Sequence, residues 1–129
     1  MKYKKITYQF IDKIPESLEE GKLYISTRFA TAIHKCFCGC GYEVVTPLSP
    51  IDWKLIYDGD TVSLTPSIGN WGFPCMSHYW IQNSEVELAR NWSKKEIDYA
   101  RKVEQKEKEE YFKKALKPYM NVLNKWFRK

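Results

Sequence analysis

The sequence predicts an α+β protein: a small, mostly antiparallel β-domain carrying a site built from thiols, followed by a C-terminal helical extension. Three observations predict it. Residues 3 to about 89 hold short runs rich in β-branched and aromatic residues, divided by Gly, Pro, Asn and Asp. After Ser93 the apolar residues switch to three- and four-residue spacing. Residues 34–40 read HKCFCGC, three cysteines on alternate positions, and the one other cysteine is Cys75.

The strand-like runs, in order, are ITYQFI, KLYIS, YEVVT, WKLIY, TVSLT, HYWIQ and EVELA. Glu19-Glu20-Gly21 precedes KLYIS and predicts a turn. Asp58-Gly59 sits between two apolar-alternating runs in WKLIYDGDTVSLTP, and glycine there takes the positive φ that a tight hairpin needs. The segment TPSIGNWGFPCMSHYWIQN, residues 65–83, is expected to leave a strand, turn through Ser67-Ile68-Gly69-Asn70, pass Cys75 and re-enter a strand near Ser77.

Helix is expected from Ser93, because Ser93 and Glu96 have the spacing of a capping box, in which hydroxyl and carboxylate satisfy otherwise unpaired amides. Phe112, Ala115, Leu116, Tyr119, Met120, Leu123, Trp126 and Phe127 then fall on one helical face. That stripe suits packing on the β-domain, a partner helix or a second copy of the chain. Pro118 has no N–H to donate, so the helix should kink there or split in two. The expected organisation is a β-rich domain over residues 1–92 and a basic amphipathic extension over 93–129.

A chain of 129 residues with 43% apolar and 16% aromatic content can bury one domain's core. Its net charge of +5 is uneven: residues 93–129 hold 12 Lys/Arg against 6 Asp/Glu, which leaves −1 for residues 1–92. The positive charge therefore lies away from the cysteines. Mixed runs such as KVEQKEKEEYFKK read as a solvated helical face, and a nucleic-acid partner is not expected. No stretch approaches the roughly 18 apolar residues of a membrane span, and the N-terminus lacks a signal-peptide core. A cytoplasmic protein with no membrane partner is expected. Thiols stay reduced in most cytosols, so clustered cysteines there point to metal rather than to disulfides.

Zinc held by thiolates needs sulfurs within about 4 Å of one another, whereas side chains at i and i+2 of a straight strand stand about 6.5 to 7 Å apart. Gly39 and Gly41 flank Cys40 and supply the bend that lets Cys36, Cys38 and Cys40 converge. Cys75 is the remaining thiol, while His34 and His78 compete as nitrogen ligands. An all-thiolate set of Cys36, Cys38, Cys40 and Cys75 is favoured and leaves both histidines free. Zinc is expected over an iron–sulfur cluster because C-x-C-x-C does not match the usual cluster spacings.

If Cys75 anchors the metal, Ser67, Ser77 and His78 share a neighbourhood. Acyl transfer by serine needs a base within hydrogen-bond reach of the hydroxyl, and amides aimed at the developing oxyanion. Ser67 fits better than Ser77, which on a regular strand faces away from its neighbour His78. Turn amides near Gly69 would serve the oxyanion. His78 is the natural base, with Asn70, Asn83 or Asp60 to orient it. An ordinary turn hydroxyl and a core or metal-bound histidine are the structural readings of the same residues, and Cys75 paired with His78 is a nucleophile only if unmetallated.

The order HKCFCGCGYEVVTPL, DGDTVSLTPSIGNW and PCMSHYWI, over roughly residues 13 to 90, resembles a family of small bacterial proteins with a CxCGCG motif, a PSIGN-like turn and a C-x-SH-aromatic-aromatic strand. This is the deubiquitinase-like peptidase, BubE type, of bacterial ubiquitination-like (Bub) antiphage operons. The resemblance implies a zinc-containing, serine-dependent peptidase that processes or deconjugates a ubiquitin-like protein encoded beside E1-like and E2-like enzymes. The matching positions are Cys36, Cys38, Cys40 and Cys75 for metal, and Ser67, Ser77 and His78 for catalysis. Trp71, Phe73, Tyr79 and Trp80 would wall a channel for the extended C-terminal tail of that substrate. Two other functions fit: a metal-water peptidase, with His34 or His78 as ligand and Glu43 as base, and a non-catalytic zinc adaptor for the ubiquitin-like protein or its conjugating enzymes.

Overall fold

In the computed structural model the described residues are 1–90 and 92–127, with backbone alone at 120 and 123–127. The chain divides into two compact units, Met1–Asn91 and Trp92–Lys129. Asn91, at the expected boundary, lies outside the described residues.

The first unit holds two four-stranded sheets. One has the order β1 (Thr7–Phe10), β2 (Lys22–Ser26), β3 (Thr31–Lys35), β4 (Glu43–Pro47); the other has β5 (Lys54–Tyr57), β6 (Val62–Gly69), β7 (His78–Gln82), β8 (Glu85–Leu88). All neighbours pair antiparallel except β1 and β2, which run parallel. The N-terminal segment ties the sheets together. Ile6 N–H donates to Ser84 O, Val86 N–H to Lys4 O, and β1 then joins the edge of β2.

One core forms between the sheets, from Leu23, Ile25, Ala32, Phe37 and Val44 on one side and Val62, Leu64, Ile68, Tyr79, Ile81 and Val86 on the other. Leu18, Tyr24 and Ile33 bury the opposite face of the first sheet. Strand β3 was absent from the runs expected as strands, and this second cluster explains why. TAIHK is buried on both faces, so it shows no polar–apolar alternation to mark it.

The hairpin at Asp58-Gly59 forms as its sequence predicts. The Asp58 carboxylate accepts from the Asp60 and Thr61 amides and the Thr61 hydroxyl. These bonds hold the Asp58 carboxyl below the usual carboxylate range. The expected turn through Ser67-Ile68-Gly69-Asn70 does not form. Strand β6 continues to Gly69, with Ile68 opposite Tyr79 and Gly69 opposite His78, after a register shift between Leu64 and Ile68. Pro66 and Gly69 look like turn punctuation, yet an irregular strand accommodates both.

The second unit is one helix, α1 (Lys94–Phe127), which runs through Pro118 without splitting. Its start is the expected capping box: Glu96 N–H donates to Ser93 Oγ at 3.2 Å, and Ser93 N–H to Glu96 Oε1 at 3.4 Å. Of the apolar stripe, Phe112, Ala115, Leu116 and Tyr119 are exposed; the side chains of Met120, Leu123, Trp126 and Phe127 lie outside the described residues.

Candidate active site and thiolate cluster

Two loops bring the four cysteines together. The first follows β3. Cys36 N–H donates to Tyr42 O at 2.8 Å, and inside that closure Gly39 N–H donates to Cys36 O at 3.0 Å. Gly39 has φ +92°, and a Cβ there would lie 2.6 Å from Lys2 Cδ, so glycine suits this bend twice over. The second loop links β6 to β7 and is closed by Asn70 N–H donating to Ser77 O at 2.8 Å. Successive turns, Phe73 N–H to Asn70 O and Met76 N–H to Phe73 O, carry Cys75 inward. Tyr42 and Phe73 stack at 5.0 Å across the two loops.

The sulfurs of Cys36, Cys38, Cys40 and Cys75 all lie within 4.8 Å of one another. Cys36 Sγ is 3.3 Å from Cys38 Sγ and 3.9 Å from Cys75 Sγ, close to the roughly 3.8 Å edge of a tetrahedron with 2.3 Å metal–sulfur bonds. Four reduced thiols converging in this way fit a metal ion. A partial outer shell is also present: Cys40 N–H donates to Cys38 Sγ at 3.3 Å, and the Asn70 amide donates to Cys36 Sγ at 3.6 Å and to Ser77 Oγ at 3.0 Å. Burial, together with bonding to its neighbours, pushes the Cys38 thiol up. Burial works the same way on Cys75, but the hydroxyl and amide of Ser77 and the thiols of Cys38 and Cys40 outweigh it and bring Cys75 down to about 7.

Neither histidine belongs to the cluster. His34 is fully buried, stacks on Phe37 at 4.3 Å and meets the Tyr79 hydroxyl through Nε2 at 2.6 Å. Burial holds its pKa down to about 3, so the ring stays neutral. Glu43, the conceivable base of a metal-water enzyme, sits exposed at the start of β4 opposite Lys35.

His78 instead meets Ser67. Gly69 and His78 are cross-strand partners, so Ser67, two residues before Gly69, shares their face of the sheet and lies diagonally across from His78. Ser67 Oγ stands 2.8 Å from His78 Nε2, and His78 Nδ1 stands 2.9 Å from the backbone oxygen of Arg90. A carbonyl oxygen only accepts, so Nδ1 carries a proton, and in the neutral ring Nε2 turns its lone pair to the serine hydroxyl. That is the tautomer a general base requires.

The group at Nδ1 is thus the Arg90 carbonyl and not Asn70, Asn83 or Asp60. The Asn70 side chain serves the cluster, the Asn83 backbone N–H donates to Ser63 Oγ in the β7–β8 turn, and Asp60 lies in the β5–β6 hairpin, where its backbone carbonyl accepts from the Tyr8 hydroxyl. A backbone carbonyl carries no residue-type signal, so sequence reasoning had no means to find it. Ser77 also moves out of the pair: its Oγ lies 3.1 Å from Cys36 Sγ and 3.4 Å from Cys75 Sγ. The Asn70 backbone N–H is consumed by Ser77 O and cannot serve an oxyanion. Adjacent amides of a strand point to opposite edges, so Gly69 N–H is directed away from β7.

Of the four aromatics expected as channel walls, Tyr79 is core and Phe73 belongs to the stack across the cysteine loops. Trp71 meets the His78 ring edge-on at 4.9 Å. Trp80, two residues along β7, shares the face of His78 and is exposed. Trp71 also lies over Gly69, where an added Cβ would fall 2.6 Å from its Nε1. Glycine at 69 thus makes room for the indole beside the Ser67–His78 pair.

The family described as "Bacterial ubiquitination-like system serine protease (BubE)" matches residues 10–89. That span contains all four cysteines, Ser67 and His78. No curated protein and no solved structure matches the chain.

Proposed function

The chain belongs to the BubE family, the serine proteases of bacterial ubiquitination-like systems, and from that premise we propose that it cleaves at the C-terminal tail of a ubiquitin-like protein, with Ser67 as nucleophile and His78 as general base. The observation that carries this reading is the 2.8 Å contact of Ser67 Oγ with a His78 Nε2 left unprotonated by the Nδ1 bond to Arg90 O. Ser67 Oγ attacks the scissile carbonyl carbon while its proton passes to Nε2; the imidazolium is steadied by the Arg90 carbonyl and returns the proton to the leaving amine. Water, deprotonated by the same nitrogen, then releases the acyl group from Ser67. The Gly69 N–H is the proposed oxyanion donor. Trp71 and Trp80 flank an extended tail.

Zinc is the proposed ion of the Cys36, Cys38, Cys40 and Cys75 cluster, where it supplies a structural tie between the two loops. A closed set of four thiols, with both imidazoles engaged elsewhere, favours this over a metal-water peptidase. Recognition of conjugated as well as precursor forms, contact with the E1-like and E2-like enzymes, a role in antiviral defence and a cytoplasmic location belong to the same proposal.

The test is intact-mass analysis of the metal-loaded protein incubated with a ubiquitin-like protein bearing a C-terminal extension, alongside labelling by a fluorophosphonate. Loss of the extension and a single adduct mapping to Ser67 are expected. Absence of both would replace this reading with the adaptor. A second expectation concerns Gly69→Ala. The new methyl displaces Trp71 from beside His78, and turnover should fall roughly tenfold to a hundredfold, as for an ångström-scale misplacement in an active site. Unchanged turnover would remove Trp71 from the site.

A further inference from the structure

We propose that the C-terminal part of α1, from Tyr111 onward, is a surface that lies on an anionic lipid bilayer. This stands independently of the catalytic reading. The helix is divided by charge: residues 94–110 carry 6 Lys/Arg and 6 Asp/Glu, whereas residues 111–129 carry 6 Lys/Arg and no acid. It is also divided by face. At 3.6 residues per turn, the apolar positions after residue 110 occupy one half of the circumference, and Lys113, Lys114, Lys117 and Lys125 occupy the other.

Among the described residues the apolar half is uncovered. Phe112, Leu116, Tyr119 and Val122 are 56%, 53%, 69% and 56% exposed. In the sequence, Leu123, Trp126 and Phe127 continue the same half of the helical wheel. An occupant must therefore accept a broad apolar face and answer one with a surplus of positive charge, of which Glu110, a turn before Lys114, offsets only part. An anionic bilayer does both, with acyl chains for the aromatic and aliphatic side chains and headgroups for the lysines. A second copy of the helix answers the apolar half alone, because it brings the same six cations. The apolar half is also wider than the narrow seam of a coiled coil. No helix among the described residues is long and apolar enough to cross a membrane, so the segment lies in the interface and does not span. Such a segment departs from the expectation of no membrane partner, which rested on the lack of a long apolar run; an interfacial helix has no such run to read.

The experiment is co-sedimentation of the full chain with vesicles of roughly equal phosphatidylglycerol and phosphatidylcholine, against phosphatidylcholine alone. Binding to the anionic vesicles is expected, and should weaken at least about tenfold on neutral vesicles or in about 0.5 M salt, where screening acts over about 4 Å. Lys113→Glu with Lys117→Glu should weaken it more than about 25-fold, from about fivefold for each basic residue at such a surface. Leu116→Glu with Tyr119→Glu should abolish it. Circular dichroism and the melting of the β unit confirm that these variants remain folded. Indifference of binding to the Leu116 and Tyr119 changes would overturn the proposal. So would the absence of vesicle binding, whether the chain instead forms a dimer by light scattering or binds nucleic acid.

Discussion

Ser67→Ala should lose cleavage of a ubiquitin-like precursor by a factor on the order of ten thousand or more while keeping its full metal content, and Ser77→Ala should bind metal more weakly while each metal-loaded molecule still cleaves. Both hydroxyls precede His78 in the sequence but belong to different chemistry. Ser67 Oγ is the atom at 2.8 Å from His78 Nε2, so its removal leaves an intact base with nothing to activate. When a nucleophile and its base act as one unit, losing either costs nearly the whole catalytic gain, and His78→Ala should therefore be about as inactive as Ser67→Ala, the double variant little worse. Ser77 Oγ touches Cys36 Sγ and Cys75 Sγ and accepts from the Asn70 amide, which makes it part of the metal's surroundings. Outer-shell changes of that kind cost about 10- to 100-fold in metal affinity. Turnover per metal-loaded Ser77→Ala molecule should stay near that of wild type, because the Ser77 hydroxyl is engaged by sulfur and the Asn70 side chain. Rates per loaded chain, with metal counted by elemental analysis, separate the two residues. An inactive, fully loaded Ser77→Ala beside an active Ser67→Ala would reverse the assignment of nucleophile.

The thiol cluster is legible in the sequence because its geometry is local: alternate cysteines cannot converge on a straight strand, and Gly39 and Gly41 stand where the chain must bend. The approach of Ser67 to His78 is legible for a related reason, since Cys75 draws the intervening loop toward the cluster and brings its flanking strands into line. The details that escape are those in which tertiary context overrides a local signal. TAIHK is strand β3 because it is covered on both faces, which erases the alternation that marks a half-buried strand. Gly69 reads as a turn residue, yet it pairs with His78 as the last residue of β6, and the space a Cβ would need there belongs to Trp71. Asn70 reads as a partner for the base and proves a partner for sulfur, a distinction of direction within one loop that residue type does not encode. The Arg90 carbonyl, which fixes the tautomer of His78, is invisible for a simpler reason, since every residue has a carbonyl.

Removing the metal should destabilise the fold and abolish cleavage together, although the metal touches no reacting atom in the proposed mechanism. An ion held by the four thiols would join the loop after β3 to the loop between β6 and β7, and the latter is closed by Asn70 and Ser77, one residue beyond Gly69 and one before His78. Without it, four thiols packed within 4.8 Å repel once ionised and relax apart, and the strand ends carrying Ser67 and His78 lose their clamp. An ion bound only a thousandfold more tightly than its free concentration contributes about 4 kcal/mol, which for a unit of this size is a melting shift on the order of 15 °C or more. Cys75→Ser should give most of that loss, because it detaches one loop outright. The decisive arm is replacement of the ion by cadmium, which thiolates hold at least as well. A purely structural tie predicts that cadmium restores both the melting temperature and the cleavage rate to near their starting values. If cadmium restored the fold and left cleavage absent, the metal would have to take part in the reaction, and the division of labour between the cluster and the Ser67–His78 pair would fall.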